Sequence, residues 1–154
     1  MKSLKVSTRN ILFATLFTLI TSHTASAAIF VMIPSLPGDV TTPGFEGSFE
    51  VTNFDLAAVT TRALQPEQAL PPEVLLSFLS TESTTDLLFA AFDGQVFRDV
   101  EVVLTQTGPT GGQEVYLKYK LDRCFIKSWS TSGDADDRPT EEIAFYYNKI
   151  EFSR

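Results

Sequence analysis

The stretch that most constrains the fold is Thr140 to Phe152, T-E-E-I-A-F-Y-Y-N-K-I-E-F, in which Ile143, Phe145 and Tyr147 alternate with Glu142, Ala144 and Tyr146. A period of two, rather than 3.6, sends successive side chains to opposite faces and predicts a strand with one face on a core. Arg138-Pro139 ahead of it is a breaker that gives the strand a defined start. One strand leaves its N–H and C=O groups unpaired, so the earlier segments must supply its partners.

Those segments read mostly as strands. Ala28 to Ile33 is a continuous apolar run stopped by Pro34, as in a buried first strand. Pro34 to Gly44, rich in proline and glycine, is a loop. Phe45 to Leu56 is a second strand whose apolar set begins on odd positions (Phe45, Phe49, Val51) and moves to even ones (Phe54, Leu56), which predicts a bulge near Asn53. Ala57 to Glu73 has no sustained period and is long for a connection, so it reads as a contact loop. Val74 to Leu79 is a third strand.

Ser83 to Ala91 is the one helical segment. Ser83 or Thr84 can cap it, Asp86 suits the first turn, Leu87, Leu88 and Ala91 share a face, and Gly94 can end it. Val96 to Gln106 is a fourth strand, turned at Gly108 to Gly112 into Glu114 to Leu121, with Asp122 to Ser130 continuing extended. Thr131 to Arg138 is an acidic loop. About six or seven strands and one helix predict a mainly β fold: a small antiparallel β-barrel of two packed sheets with one short flanking α-helix. Tyr116, Tyr146, Phe54 and Leu56 lie on the second faces of their strands, more apolar surface than one core uses, and point to a closed oligomer.

Composition agrees with a single globular domain: 154 residues, 44% hydrophobic, 20% charged, 13 Phe and one Trp. A net charge of −7 supplies no basic face, which disfavours nucleic-acid binding. The first 27 residues have the form of an export signal: Lys2, Lys5 and Arg9 without acids, the apolar run Ile11 to Ile20, and the small residues Ala25-Ser26-Ala27. The run is about half of the roughly 20 residues a membrane-spanning helix needs, so stable membrane insertion is not expected. Cleavage between Ala27 and Ala28 divides the chain into a signal, 1–27, and a barrel domain, 28–154, and places the product in the periplasm or medium. It removes three of 12 cations and none of 19 acids, leaving a mature net charge of −10.

The chemistry on offer is sparse. His23, the single histidine, leaves with the signal, so the mature chain has no imidazole for a base or metal ligand. Cys124 is the one cysteine and cannot form an intrachain disulfide; in R-C-F-I-K-S-W it reads as a small buried apolar residue. Glu141 and Glu142 point to opposite faces of a strand and cannot share a substrate. The Gly108 to Gly112 turn lacks the Lys-Ser/Thr of a phosphate loop. Counted from Asp134, the Asp134-Asp136-Asp137 loop has Pro139 and Phe145 where a calcium loop needs its sixth-position Gly and twelfth-position Glu. No catalytic, cofactor-binding or metal-binding residues are assigned, and the chain is not expected to be an enzyme.

The order strand, long loop, strand, then D-L-L-F-A-A-F-D-G, then two long strands with a Gly-rich turn, then P-T-E-E-I-A-F-Y-Y-N-K-I, resembles the haemolysin-coregulated (Hcp) tube proteins of type VI secretion systems. Thr140-Glu141, Ile143, Phe145, Tyr147 and Lys149-Ile150 carry most of the specificity, and V-Y-L-K-Y-K-L-D-R-C-F-I-K-S-W-S-T-S-G looks like the preceding family strands. The likeness spans Ile29 to Phe152. It implies hexameric rings that stack into the inner tube of a contractile injection machine, with a lumen for small secreted effectors, contacts with other secretion components, and no catalytic residues. Tube-building members are assembled in the cytosol without a cleavable signal, so the export signal is a departure. The alternative reading is an exported binding or carrier module, monomeric or ring-forming, on the same fold.

Overall fold

The computed structural model describes residues 27–57, 73–109 and 111–154. Strand β1 (Ala28–Met32) ends just before Pro34, as the sequence predicts. Phe45 does not start a strand. Gly44 and Gly47 take positive φ values of 86° and 73° and fold the segment into a turn, from which Phe45 stacks on Phe30 at 4.5 Å. With Val103 they form a small satellite core on the outer side of β1.

The face switch expected as a bulge near Asn53 is a change of sheet. Strand β2 (Phe49–Val51) pairs with β1, whereas β3 (Asn53–Ala57) pairs with β4 (Glu73–Leu79) in the second sheet. A strand passing between facing sheets must reverse which parity points inward, and Thr52 makes the reversal. Its backbone N–H and its hydroxyl both donate to the Ser77 carbonyl, at 2.8 and 3.0 Å. Phe54 and Leu56 therefore pack against the core and are not outer-face residues, contrary to the sequence expectation.

Helix α1 (Glu82–Phe92) begins earlier than Ser83 or Thr84 would place it. Thr81 is the cap, and Thr84 closes a reciprocal capping box with it. Glu82, not Asp86, is the acid of the first turn. The buried face is Thr84, Leu87 and Ala90, about one position away from the expected Leu87, Leu88 and Ala91. Gly94, at φ 61°, ends the helix as anticipated.

The remaining chain forms β5 (Val96–Phe97), β6 (Val100–Thr107), β7 (Gln113–Asp122), β8 (Cys124–Ser132), β9 (Thr140–Tyr146) and β10 (Lys149–Ser153). Three runs expected to be continuous are thus broken near Asp99, Arg123 and Asn148. At each break the chain leaves one five-stranded sheet, β3-β4-β9-β8-β5, for the other, β10-β7-β6-β1-β2, or the reverse. Asp99 and Arg123 reach these corners in the left-handed region, at φ 58° and 48°. The corners bend the paired strands from one sheet into the next, giving the expected barrel of two packed antiparallel sheets. Its core joins both sheets and the helix: Phe49 meets Phe78 and Phe97 meets Phe145, each edge-to-face at 6.2 Å, with Leu87 fully buried beside them.

Candidate assembly surfaces

The residues with chemical potential are mostly held in structural roles. Cys124 is fully buried with Sγ 3.8 Å from the Phe97 carbonyl, and burial pushes its thiol up to about 12. The reactive thiolate is thus suppressed at neutral pH, in keeping with a core residue. Glu141 and Glu142 do point to opposite faces: Glu142 is exposed and Glu141 is 7% exposed. The Ser80 hydroxyl donates to Glu141 Oε1 at 2.8 Å, and Arg138 Nη2 donates to the Ser80 carbonyl at 2.9 Å, tying β9 to the segment that precedes the helix.

In the acidic loop, Asp134 Oδ1 accepts from the Asp136 N–H at 3.0 Å and Asp137 Oδ1 from the Arg138 N–H at 2.7 Å. These are local turn bonds on an exposed loop. Among the described residues no three or more His, Cys, Asp or Glu side chains come together as a metal site. One open groove of about 370 Å³ is lined by hydroxyls and both charges, including Asp39, Glu50, Thr81 and Arg138.

Ala27 is exposed, and Ala28 opens β1 with its carbonyl accepting from Thr105 Oγ1 at 3.0 Å. The rest of the expected signal, including His23, lies outside the described residues, as do residues 58–72 of the expected contact loop. No described helix is long and apolar enough to cross a membrane.

What the fold presents to solvent is of two kinds. The outer face of the first sheet carries mixed charges across β6, β7 and β10. Lys118 bridges Glu101 at 2.9 Å, Lys120 bridges Asp99 at 2.8 Å, and Lys149 pairs with Glu151. The hydrogen bond and charge of Asp99 raise Lys120, and the same effects of Lys149 lower Glu151. The alternation of sign makes this face nearly neutral within an acidic chain.

The second kind is apolar. Tyr116 is exposed as expected, whereas Tyr146 is half-buried against Phe125 at 5.1 Å. Larger exposures occur at Phe92 (78%), Phe152 (76%), Phe89 (61%) and Val96 (59%). Sequence reasoning missed these. The helical spacing of Phe89 and Phe92, off the Leu87 face, was the available signal for the first pair. Phe152 shares its parity with inward-facing Ile150 and carried no such signal.

Comparison with known proteins bears on these surfaces. The family described as Type VI secretion system effector, Hcp, matches residues 30–153. Among solved structures, Hcp1 from Salmonella typhimurium superposes with TM-score 0.69 at 16% identity, covering 82% of this chain and 84% of that one. The secreted protein Hcp3 from Pseudomonas aeruginosa gives 0.64 at 18% identity, covering 85% and 91%. A sheath/tube terminator of an extracellular contractile injection system, PVC, gives 0.52 at 13% identity, covering 82% and 93%. No curated protein sequence matches the chain.

Proposed function

The chain belongs to the Hcp family of type VI secretion, and from that premise we propose that it is a non-enzymatic subunit of hexameric rings that stack into a tube and carry small secreted effectors. The observation that carries this reading is that the family match, residues 30–153, coincides with the whole barrel from β1 to β10. The surface supports it too. A monomer would leave Phe89, Phe92 and Phe152 in water, and a closed ring offers them partners. At a mature charge of −10 stacked rings repel, so added salt should favour tubes.

The export pattern of residues 1–27 supports cleavage between Ala27 and Ala28 and a product outside the cytoplasm. That pattern favours a second reading, an exported binding or carrier module independent of an injection machine. Light scattering on the purified chain tests the first reading: a mass near six subunits is expected, and a monomer at high concentration and moderate salt would refute the ring. Intact-mass analysis tests export separately, with a chain beginning at Ala28 expected and one beginning at Met1 in the cytosol overturning it.

A further inference from the structure

The groove of about 370 Å³ holds charges of both signs that do not meet. Asp39 and Glu50 line it together with Arg138, and none of the three lies within ion-pair distance of an opposite charge among the described residues. The Arg123 guanidinium and four of the lysines, by contrast, each have an acidic partner.

The backbone fixes where these charges stand. Asp39 belongs to the loop between β1 and β2, where the Gly38 and Val40 N–H groups donate to the Gly47 and Ser48 carbonyls at 2.8 and 3.1 Å. Gly38 packs so closely there that a Cβ would meet the Ser48 carbonyl oxygen at 2.1 Å. Glu50 follows on β2, an edge of the first sheet. Arg138 comes from a different segment and is tied through Nη2 to the Ser80 carbonyl, while the Ser80 hydroxyl is tied to buried Glu141. The rest of the Arg138 guanidinium has no partner among the described residues. Leu79, 41% exposed, and half-buried Val40 give the groove an apolar side.

We propose that this groove binds a free amino acid or a dipeptide, with the ligand carboxylate on Arg138, its ammonium on Asp39 and Glu50, and an apolar side chain against Val40 and Leu79. The inference goes beyond the ring reading and does not rest on it. The planar fork of an arginine fits a carboxylate through two parallel hydrogen bonds. The two acids disfavour a purely anionic ligand, and Arg138 disfavours a polycation. A zwitterion satisfies both signs at once. The groove lies at the lower end of the roughly 300–1,000 Å³ usual for small-molecule sites, which suits a ligand of one or two residues. Because the charges already stand apart, no internal ion pair has to break before the ligand enters, and little has to be reordered.

Isothermal titration calorimetry on the full chain tests this with leucine and Ala-Leu, each beside its N-acetyl and amide forms. Saturable binding of at least one free zwitterion is expected, with either cap weakening it about tenfold or more. Arg138→Gln should bring the free acid down to the affinity of the amide and leave the penalty of the acetyl cap. Asp39→Asn combined with Glu50→Gln should do the reverse. All three side chains are exposed, so circular dichroism should show parental folding; if Arg138→Gln does not fold, the paired acid variant alone decides. No saturation by about 10 mM, capped probes that bind as well as free ones, or cap penalties that the variants leave unmoved would overturn the site. A parent that binds the zwitterion as a monomer keeps the site and ends the ring reading; rings that bind none do the opposite.

Discussion

Strands β9 and β10 come from one sequence ribbon with one alternation, and they end in opposite environments. In β9, Glu141, Ile143, Ala144 and Phe145 are buried; in β10 only Ile150 is even half-buried. The period of two is the same on both sides of Tyr147-Asn148. What differs is position: β9 sits between β4 and β8 in the second sheet, while β10 is the free edge of the first. Alternation therefore specifies that a segment is a strand, and sheet order specifies how much of that strand leaves water.

The sharpest way to break this comparison is to truncate the same residue type on each side of the corner. Phe145 is fully buried against Phe97, and Phe145→Ala should lower stability by about 3–5 kcal/mol in urea unfolding. Phe152→Ala should stay within about 0.5 kcal/mol in the monomer, because no packed volume is lost. Equal losses at the two positions would mean that β10 is not an edge.

A smaller effect is expected at the start of β9, where the Ser80 hydroxyl is the hydrogen-bond partner of buried Glu141. Ser80→Ala should cost about 1–3 kcal/mol by leaving that carboxylate without its donor. A double variant with Glu141→Leu should recover part of the loss. An unchanged urea midpoint for Ser80→Ala would show that Glu141 is solvated rather than held.

The corners themselves can be tested at Arg123, which joins β7 to β8 at φ 48°. Arg123→Val should cost about 1–2 kcal/mol, because a β-branched residue fits that region poorly. Arg123→Gly should be close to neutral, the relieved strain being offset by a more flexible unfolded chain. Equal effects of Val and Gly would mean that the corner does not depend on its backbone conformation.

The mildest prediction concerns pH. Burial holds the folded Cys124 thiol at about 12, above its ordinary 9.0. Above pH 9 the unfolded chain loses this proton and the folded chain keeps it, so stability is complete below pH 9 and declines as pH rises toward 12. The slope attributable to Cys124 is at most about 1.4 kcal/mol per pH unit. Cys124→Ala should remove that slope while Tyr and Lys contributions remain. A parallel alkaline decline in both proteins would place the thiol in contact with solvent.

By itself the sequence determined most of the strand segments, the helix, the inward facing of Ile143 and Phe145, and the burial of Cys124, because these follow from local period and apolarity. It also carried the family likeness in its final strand motif. It could not distinguish a bulge from a sheet change at Thr52, since both reverse inward parity. Nor could it place the cap at Thr81 when Ser83 and Thr84 offer equivalent hydroxyls two and three residues later. Tertiary structure alone decided that Phe54 faces the core while Phe152, of matching parity to Ile150, faces water. Burial depends on what lies opposite a side chain, and for these strands the opposite element is the other sheet, whose position no local pattern encodes.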